Sequence, residues 1–527
     1  MKKKCLLILS FLPLIMSCSL FGGPKNNDTK GEENITETPS KEDETNPSEN
    51  EDTPKENEDT PKTDPKENED ETKEEQNHKA DVIDPSMSKG GDVFDALFTY
   101  GNKISFTLDF TNQSLLKLQE YGATFGNNDN FVKNEMYHPC TVTLKINDKV
   151  STYYEVGARM KGNTSRNTHF LNSDGTFNEN EFFHFKLNFS ETFDNKDDND
   201  YYINPWTNSD AKAEREDRKL GKMKKLDFKW NRNHDATFTK ELYVLDSFRR
   251  NGVVSQHGNL AEVTLKTEKD TRTMVYQILE SVDKQMIKKV KSDDYSGDLY
   301  KCVYQNSRAD LSNTDNLGVE KTGFKPTYGL KTNESKSDMS VFKTFVEKIN
   351  TKNISGEEYF NLVSEYLDVD EFLKYSALCW VAGLPDDLRN NANNYYLYFG
   401  SDNKPTFIPY DNDRCLGIRN GRDKDLKNLP WNHDRGTFEG DNWNYCPLVH
   451  RFLDGASNNS HKVHKESQDK FYEYCVKYAE DVLDVNKFEE FTKHFEGIAP
   501  SIDIKNAGPN NDSFETYAVA KKATLIH

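Results

Sequence analysis

From about residue 95 the chain alternates apolar and polar side chains in short runs: Ile104, Phe106, Leu108 and Phe110, then Val142, Leu144 and Ile146, then Phe183, Phe185, Leu187 and Phe189. A period of two predicts half-buried β-strands. The period then lengthens. Phe238, Leu242, Leu245 and Phe248 share one helical face, with Asp235 as candidate cap and Gly252 past the end, which predicts a helix. Strand signals return at 261–265 and 274–279, after which helical spacing dominates over 341–349, 357–366, 369–381 and 470–483. The pattern predicts an α+β fold with a strand-rich lobe over 81–305 and a helix-rich lobe over 341–527. Residues 306–340, rich in Asn, Ser, Thr, Lys and Gly, read as a connection or insertion between them.

The first 80 residues have another texture. Lys2 to Lys4 followed by the apolar run Leu6 to Met16 have the charge and length of a signal peptide and are too short to span a bilayer. The run ends Ile15-Met16-Ser17-Cys18, which resembles the lipobox of bacterial lipoproteins. Removal of residues 1–17 and lipidation of Cys18 are therefore expected. Residues 24–80 carry 20 acidic and 8 basic residues, and PKENED occurs at 54–59 and again at 65–70. Such a stretch has nothing to bury. It predicts a disordered, self-repelling tether over 18–80 that lifts the domain off a membrane touched only through the lipid. The expected location is the bacterial cell envelope, lipid-anchored and surface-exposed. Of the net charge of −20, −11 remains on residues 81–527, which disfavours a nucleic-acid binder held by phosphate contacts.

Beyond Cys5 and Cys18 there are six cysteines, Cys140, Cys302, Cys379, Cys415, Cys446 and Cys475, with no C-x-x-C pair. That excludes a zinc knuckle and leaves disulfides and buried thiols equally open.

The chemistry concentrates between Leu367 and Gly417. An apolar helix ends at Gly383 and leads into PDDLRNNANN, the strand YYLYF, a turn at GSDNK, PTFIPY and DNDRCLG. Phosphoryl transfer needs a carboxylate to orient the attacking hydroxyl and oxygen ligands to hold magnesium on the phosphates. Asp386 or Asp387 suits the first task. Asn394 and Asp411 suit the second, with Asp413 close enough to take a ligand position. GARMKGNTSR at 157–166 places Arg159 and Lys161 on one side of a strand running into a small-residue turn, which suits a phosphate chain. Lys186 lies opposite the phenylalanines of FHFKLNF, and Glu241 on the helix is in position to pair with it.

Together these segments resemble the spore-coat protein H (CotH) kinase family, over roughly residues 95–500. The likeness rests on GARMKGNTSR, KLDFKWNRNHDATFTKELYVLDSFRRNG, MVYQILESVDKQMI, NNYYLYF and FIPYDNDRCLG, in that order. It implies an atypical two-lobed protein-kinase-like fold, ATP bound between the lobes with Mg2+, and phosphorylation of Ser or Thr on an exported protein. By position, Asp386 becomes the catalytic base and Asn394 and Asp411 the metal ligands. Arg159, Lys161 and Lys186 become phosphate-side contacts, and Glu280 falls near the hinge and nucleotide. Met274 and Gln277 depart from the family's Gly-x-Tyr-x-Leu stretch at the nucleotide pocket. A second class of function also fits: an adhesin or interaction module binding a host surface ligand on a catalytically idle CotH-like fold.

Other residues are read as structural. His433, His450, His461 and His464 are expected at the surface, and Trp431, Trp443 and Tyr445 as packing for a loop. Cys415 lacks a nearby His, and the acidic 194–200 cluster lacks a calcium-loop register.

Overall fold

The computed structural model describes residues 78–525, except 88–89, 124–135, 163–168, 195–205, 306, 322–323, 420–425, 434–445, 455–461 and 500–503. The leader, Cys18, the acidic tether, the turn 163–166, most of the 194–200 cluster, His461, Trp443 and Tyr445 lie outside the described residues.

Seven strands, β1 (Ile104–Asp109), β2 (His138–Ile146), β3 (Lys149–Met160), β4 (Phe185–Asn188), β5 (Lys225–Trp230), β6 (Gly258–Lys266) and β7 (Thr271–Glu280), close a barrel in the order β1-β2-β3-β4-β5-β7-β6. Neighbours run antiparallel except at the β1–β6 seam, which is parallel and sets Ser105 opposite Glu262. The alternation read from the sequence is the inside–outside alternation of this wall. Phe106, Leu108, Val142, Leu144, Phe185, Leu187, Phe228 and Ile278 fill the barrel, each worth about 1.5–3 kcal/mol over exposure.

A second sheet holds β8 (Asp298–Cys302), β9 (Leu317–Val319), β10 (Tyr328–Leu330), β11 (Tyr395–Phe399) and β12 (Pro405–Pro409), ordered β12-β11-β8-β10-β9. Two expectations change here. Residues 298–302, counted with the strand-rich first lobe, pair with β11 instead. Residues 306–340 are part of the core, because β9 and β10 extend the sheet and Ala309, Leu311, Tyr328 and Leu330 are buried. Strands of three residues are too short to show a period.

The helices Ser340–Ile349, Gly356–Val363, Val369–Ala382 and Lys465–Val482 pack over this sheet in one apolar core. Gly356–Val363 opens with a capping box, in which Ser355 and Glu358 exchange side chain-to-backbone hydrogen bonds. The helix expected behind Asp235 starts later, at Lys240, and runs to Arg250. Phe238, at φ +60, interrupts it. Asp235 still holds the turn, accepting from the Thr237 amide and hydroxyl and from the Lys240 amide at 2.8–2.9 Å.

The six described cysteines are all buried free thiols, and burial pushes the Cys415 thiol well up. His433 and His464 are buried rather than superficial. His433 bonds the Pro430 carbonyl and the Asn390 side chain, and His464 caps the last long helix at Ser467. Among the described residues no helix is long and apolar enough to cross a membrane.

Candidate active site

β5 reads KLDFKW, so its parity puts Leu226 and Phe228 into the barrel and Lys225, Asp227 and Lys229 on the outer face. Lys229, 5% exposed, is the centre of the site. Its Nζ reaches Glu241 of the Lys240–Arg250 helix at 2.9 Å, Asp411 at 2.7 Å and Asp413 at 3.4 Å. Glu241 therefore pairs with Lys229, not with Lys186 as its position had indicated. Lys186 lies beside Asp227 across the β4–β5 pairing, one strand too far from the helix.

Asp227, 1% exposed, accepts from Lys161 at 2.8 Å, Lys186 at 3.1 Å and Ser281 Oγ at 3.0 Å. Arg159, Lys186 and Asp227 occupy matched positions on β3, β4 and β5. Arg159 also stacks on the Tyr137 ring, 5.3 Å from its centroid.

Opposite this wall stands the β11–β12 hairpin. Tyr395 pairs with Pro409, and the Tyr410 amide donates to the Asn394 carbonyl at 3.2 Å. Asn394 and Asp411 thus flank the open end of the hairpin, at φ +54 and +59. Asn and Asp enter this left-handed region more readily than other side chains. Ala392 and Leu416 have positive φ as well, a local concentration of strain of the kind seen at functional sites.

The loop before β11 leaves the Val369–Ala382 helix at Gly383, φ +64, where a Cβ would run into the Tyr517 hydroxyl. Its two aspartates part company. Asp387 is buried and holds the loop, its carboxylate accepting the Asn390 amide and its carbonyl the Ala392 amide, each at 2.7 Å. Asp386 faces an open cleft that is also lined by Asp387, Asn394, Asp411, Asn412 and Arg414. Arg414 and the Asn391 side chain fix the Asp386 carboxylate at 2.8 and 2.7 Å. Glu280 does not line this cleft: Lys289 at 2.7 Å and His257 at 2.9 Å take its carboxylate at the end of β7.

The electrostatics divide the site in two. Around Lys229, three carboxylates share one ammonium, an excess of two negative charges. Burial, opposed by Lys229 and reinforced by Asp413 and Asp411, pushes Glu241 up to about 7. Burial also raises Asp413. For Asp411, whose side chain stays 40% exposed, the cost of partial desolvation is outweighed by Lys229 and Lys161, and its carboxyl is held below the usual range. Around Asp227 the balance is positive, and burial brings Lys186 down to about 8.

The residues fit magnesium. Asn394, Asp411 and Asp413 offer hard oxygen donors, and Glu241 Oε2 is a buried acceptor without a hydrogen-bond partner, so the acceptor set is incomplete as it stands. Among the described residues no three His, Cys, Asp or Glu side chains converge into a metal cage. Magnesium on phosphates takes only one or two carboxylates from the protein.

Lys229, Asp227, Asn412 and Arg414 were not singled out from the sequence. The available signal was charge at alternate positions of an otherwise apolar strand, Lys225-x-Asp227-x-Lys229.

Comparison with known proteins adds three findings. The family model described as CotH kinase protein matches residues 159–501, more than half of the chain. A solved structure, described as the crystal structure of a Helicobacter pylori proinflammatory kinase CtkA, is 12% identical, with a TM-score of 0.23, over 56% of this chain and 90% of that one. None of the curated proteins compared matches.

Proposed function

The chain belongs to the CotH kinase family, and on that premise we propose that it is a lipid-anchored protein kinase of the cell envelope, which uses ATP and Mg2+ to phosphorylate Ser or Thr of an exported or surface protein. The observation that carries this reading is the Lys229 node, where a buried ammonium joins the Glu241 helix to the Asp411 and Asp413 loop beside Asp386. The barrel and the helical part then act as the two lobes of a kinase-like fold, with the site between them.

Phosphoryl transfer needs positioning and charge neutralisation more than covalent chemistry. In this reading Asp386 accepts the proton of the attacking hydroxyl, and Arg414 and Asn391 keep its carboxylate in one orientation. Asp387 positions that loop from behind. Asn394, Asp411 and Asp413 would hold Mg2+, which when bound neutralises phosphate charge and polarises the group transferred. Lys161, Lys186 and Arg159 supply positive charge for the phosphate chain, and Lys229 holds the two halves of the site in register. Glu280, tied to Lys289 and His257, braces the end of β7 rather than touching the phosphates. Cys18 and the acidic tether would hold the domain at the membrane, within reach of exported substrates.

The test is isothermal calorimetry of ATP with Mg2+ on the full-length chain, beside Asp411→Ala and a metal-free control. Binding that needs Mg2+ and is lost in Asp411→Ala is expected. A folded wild-type chain that binds no nucleotide would overturn the kinase reading and leave the surface-interaction module in its place.

A further inference from the structure

We propose that Lys301 is an additional phosphate-binding residue, presenting an ammonium group from the second sheet to the phosphate chain that Lys161 and Lys186 approach from the barrel. This rests on the kinase reading for the identity of the ligand, and on the structure for the anion site itself.

β8 sets Lys301 opposite Tyr396 of β11, two positions from Leu299 and therefore on the same face of the sheet. Leu299, Tyr396, Ile408 and Tyr410 form an apolar patch there with Val282, Met286 and Ile287. Lys301 Nζ lies 4.8 Å from the centroid of the Tyr410 ring, and Lys161 Nζ lies 5.3 Å from the same centroid. One ring thus carries an ammonium from each sheet, and the residue after it is Asp411.

Among the described residues no hydrogen bond or ion pair reaches Lys301 Nζ, unlike the other site lysines. Its charged neighbours are Lys331, Lys325, Lys161 and Lys186, and burial together with these four cations pushes its ammonium down to about 7. The nearby carboxylates are already engaged. Asp227 is held by Lys161 and Lys186, and Glu320 by Lys331. The hydroxyls of Tyr396 and Tyr410 are driven well up by burial, so neither phenol supplies a counter-charge.

A half-buried cation held among cations costs folding free energy. A polyanion removes that cost on arrival, because each phosphate oxygen accepts a charge-assisted bond that no protein group provides. Cation–π contact offsets part of the cost and holds the ammonium at Tyr410, whose ring lines the cleft. The segment 306–340, read from the sequence as a connection, supplies Lys325 and Lys331, on either side of β10, to this field.

The experiment uses the full-length chain, with inorganic tripolyphosphate and ATP–Mg2+ as separate titrants in calorimetry and with thermal unfolding in parallel. Lys301→Met and Lys301→Gln are both expected to weaken tripolyphosphate and ATP binding by about tenfold or more, with an unfolding midpoint equal to or above that of the wild type. Loss of binding without loss of stability separates a ligand contact from a structural one. Unchanged affinity for tripolyphosphate in a folded Lys301→Met chain overturns the proposal, as does a wild-type chain that binds no tripolyphosphate. A wild type that binds tripolyphosphate through Lys301 but not ATP–Mg2+ sinks the kinase reading and leaves this anion site standing.

Discussion

At the scale of single residues, Glu241 yields a prediction whose sign is fixed by its surroundings. Burial, against Lys229 and with Asp413 and Asp411, raises it from an ordinary 4.5 to about 7. The folded state therefore binds its proton more tightly than the unfolded state. The stability it contributes is complete below pH 4.5 and lost as pH rises through 7. Relative to Glu241→Gln, the wild type is expected to lose stability progressively between pH 4.5 and 7.5, measured by urea unfolding in the presence of a chelator. A difference that stays constant across that window would show that Glu241 keeps its ordinary affinity. Asp386, Asn394, Asp411 and Asp413 were legible because acids and amides at strand ends are visible without knowing the fold. Lys229 was not, since nothing in sequence says that β5 and the Glu241 helix face the β12 end 182 positions away.

Among the elements, the β11–β12 hairpin separates geometry from ligation. Asn394 has φ +54, which Gly adopts at no steric cost. Asn394→Gly therefore keeps the backbone while deleting the amide oxygen. It is expected to change stability by no more than about 1 kcal/mol and to weaken Mg2+-dependent ATP binding by about tenfold or more, read by calorimetry and chemical denaturation on the same sample. A large stability loss with intact binding would make Asn394 a turn residue only. The long strands and helices announced themselves through their period. β9 and β10 did not, for three residues hold too little pattern, and the capping box at Ser355 and Glu358 marked a helix start that periodicity placed one residue late.

For the whole molecule, the six body cysteines make a chain read as exported depend on packing rather than crosslinks. Each is buried in an apolar core and free. A reductant is expected to leave the unfolding midpoint of the full-length chain unchanged, and iodoacetamide is expected to leave these six thiols unmodified until the chain is denatured. A midpoint that drops with reductant would reveal a bond between two of them. The α+β class was legible from the change of period. Closure of the barrel was not, because it depends on a pairing between distant segments.

That closure has a consequence in time. β1 meets β2 through a short excursion, but its other edge waits for β6, whose Glu262 lies 157 positions after Ser105. A side-chain amide then fastens the joint: Asn259 donates to the Leu97 and Thr99 carbonyls at 2.8 and 3.2 Å. Closing so long a loop is entropically costly and slow. A chain emerging from its N-terminus first must therefore carry β1 as an open edge until about half its length has arrived, exposed to wrong partners in the interval.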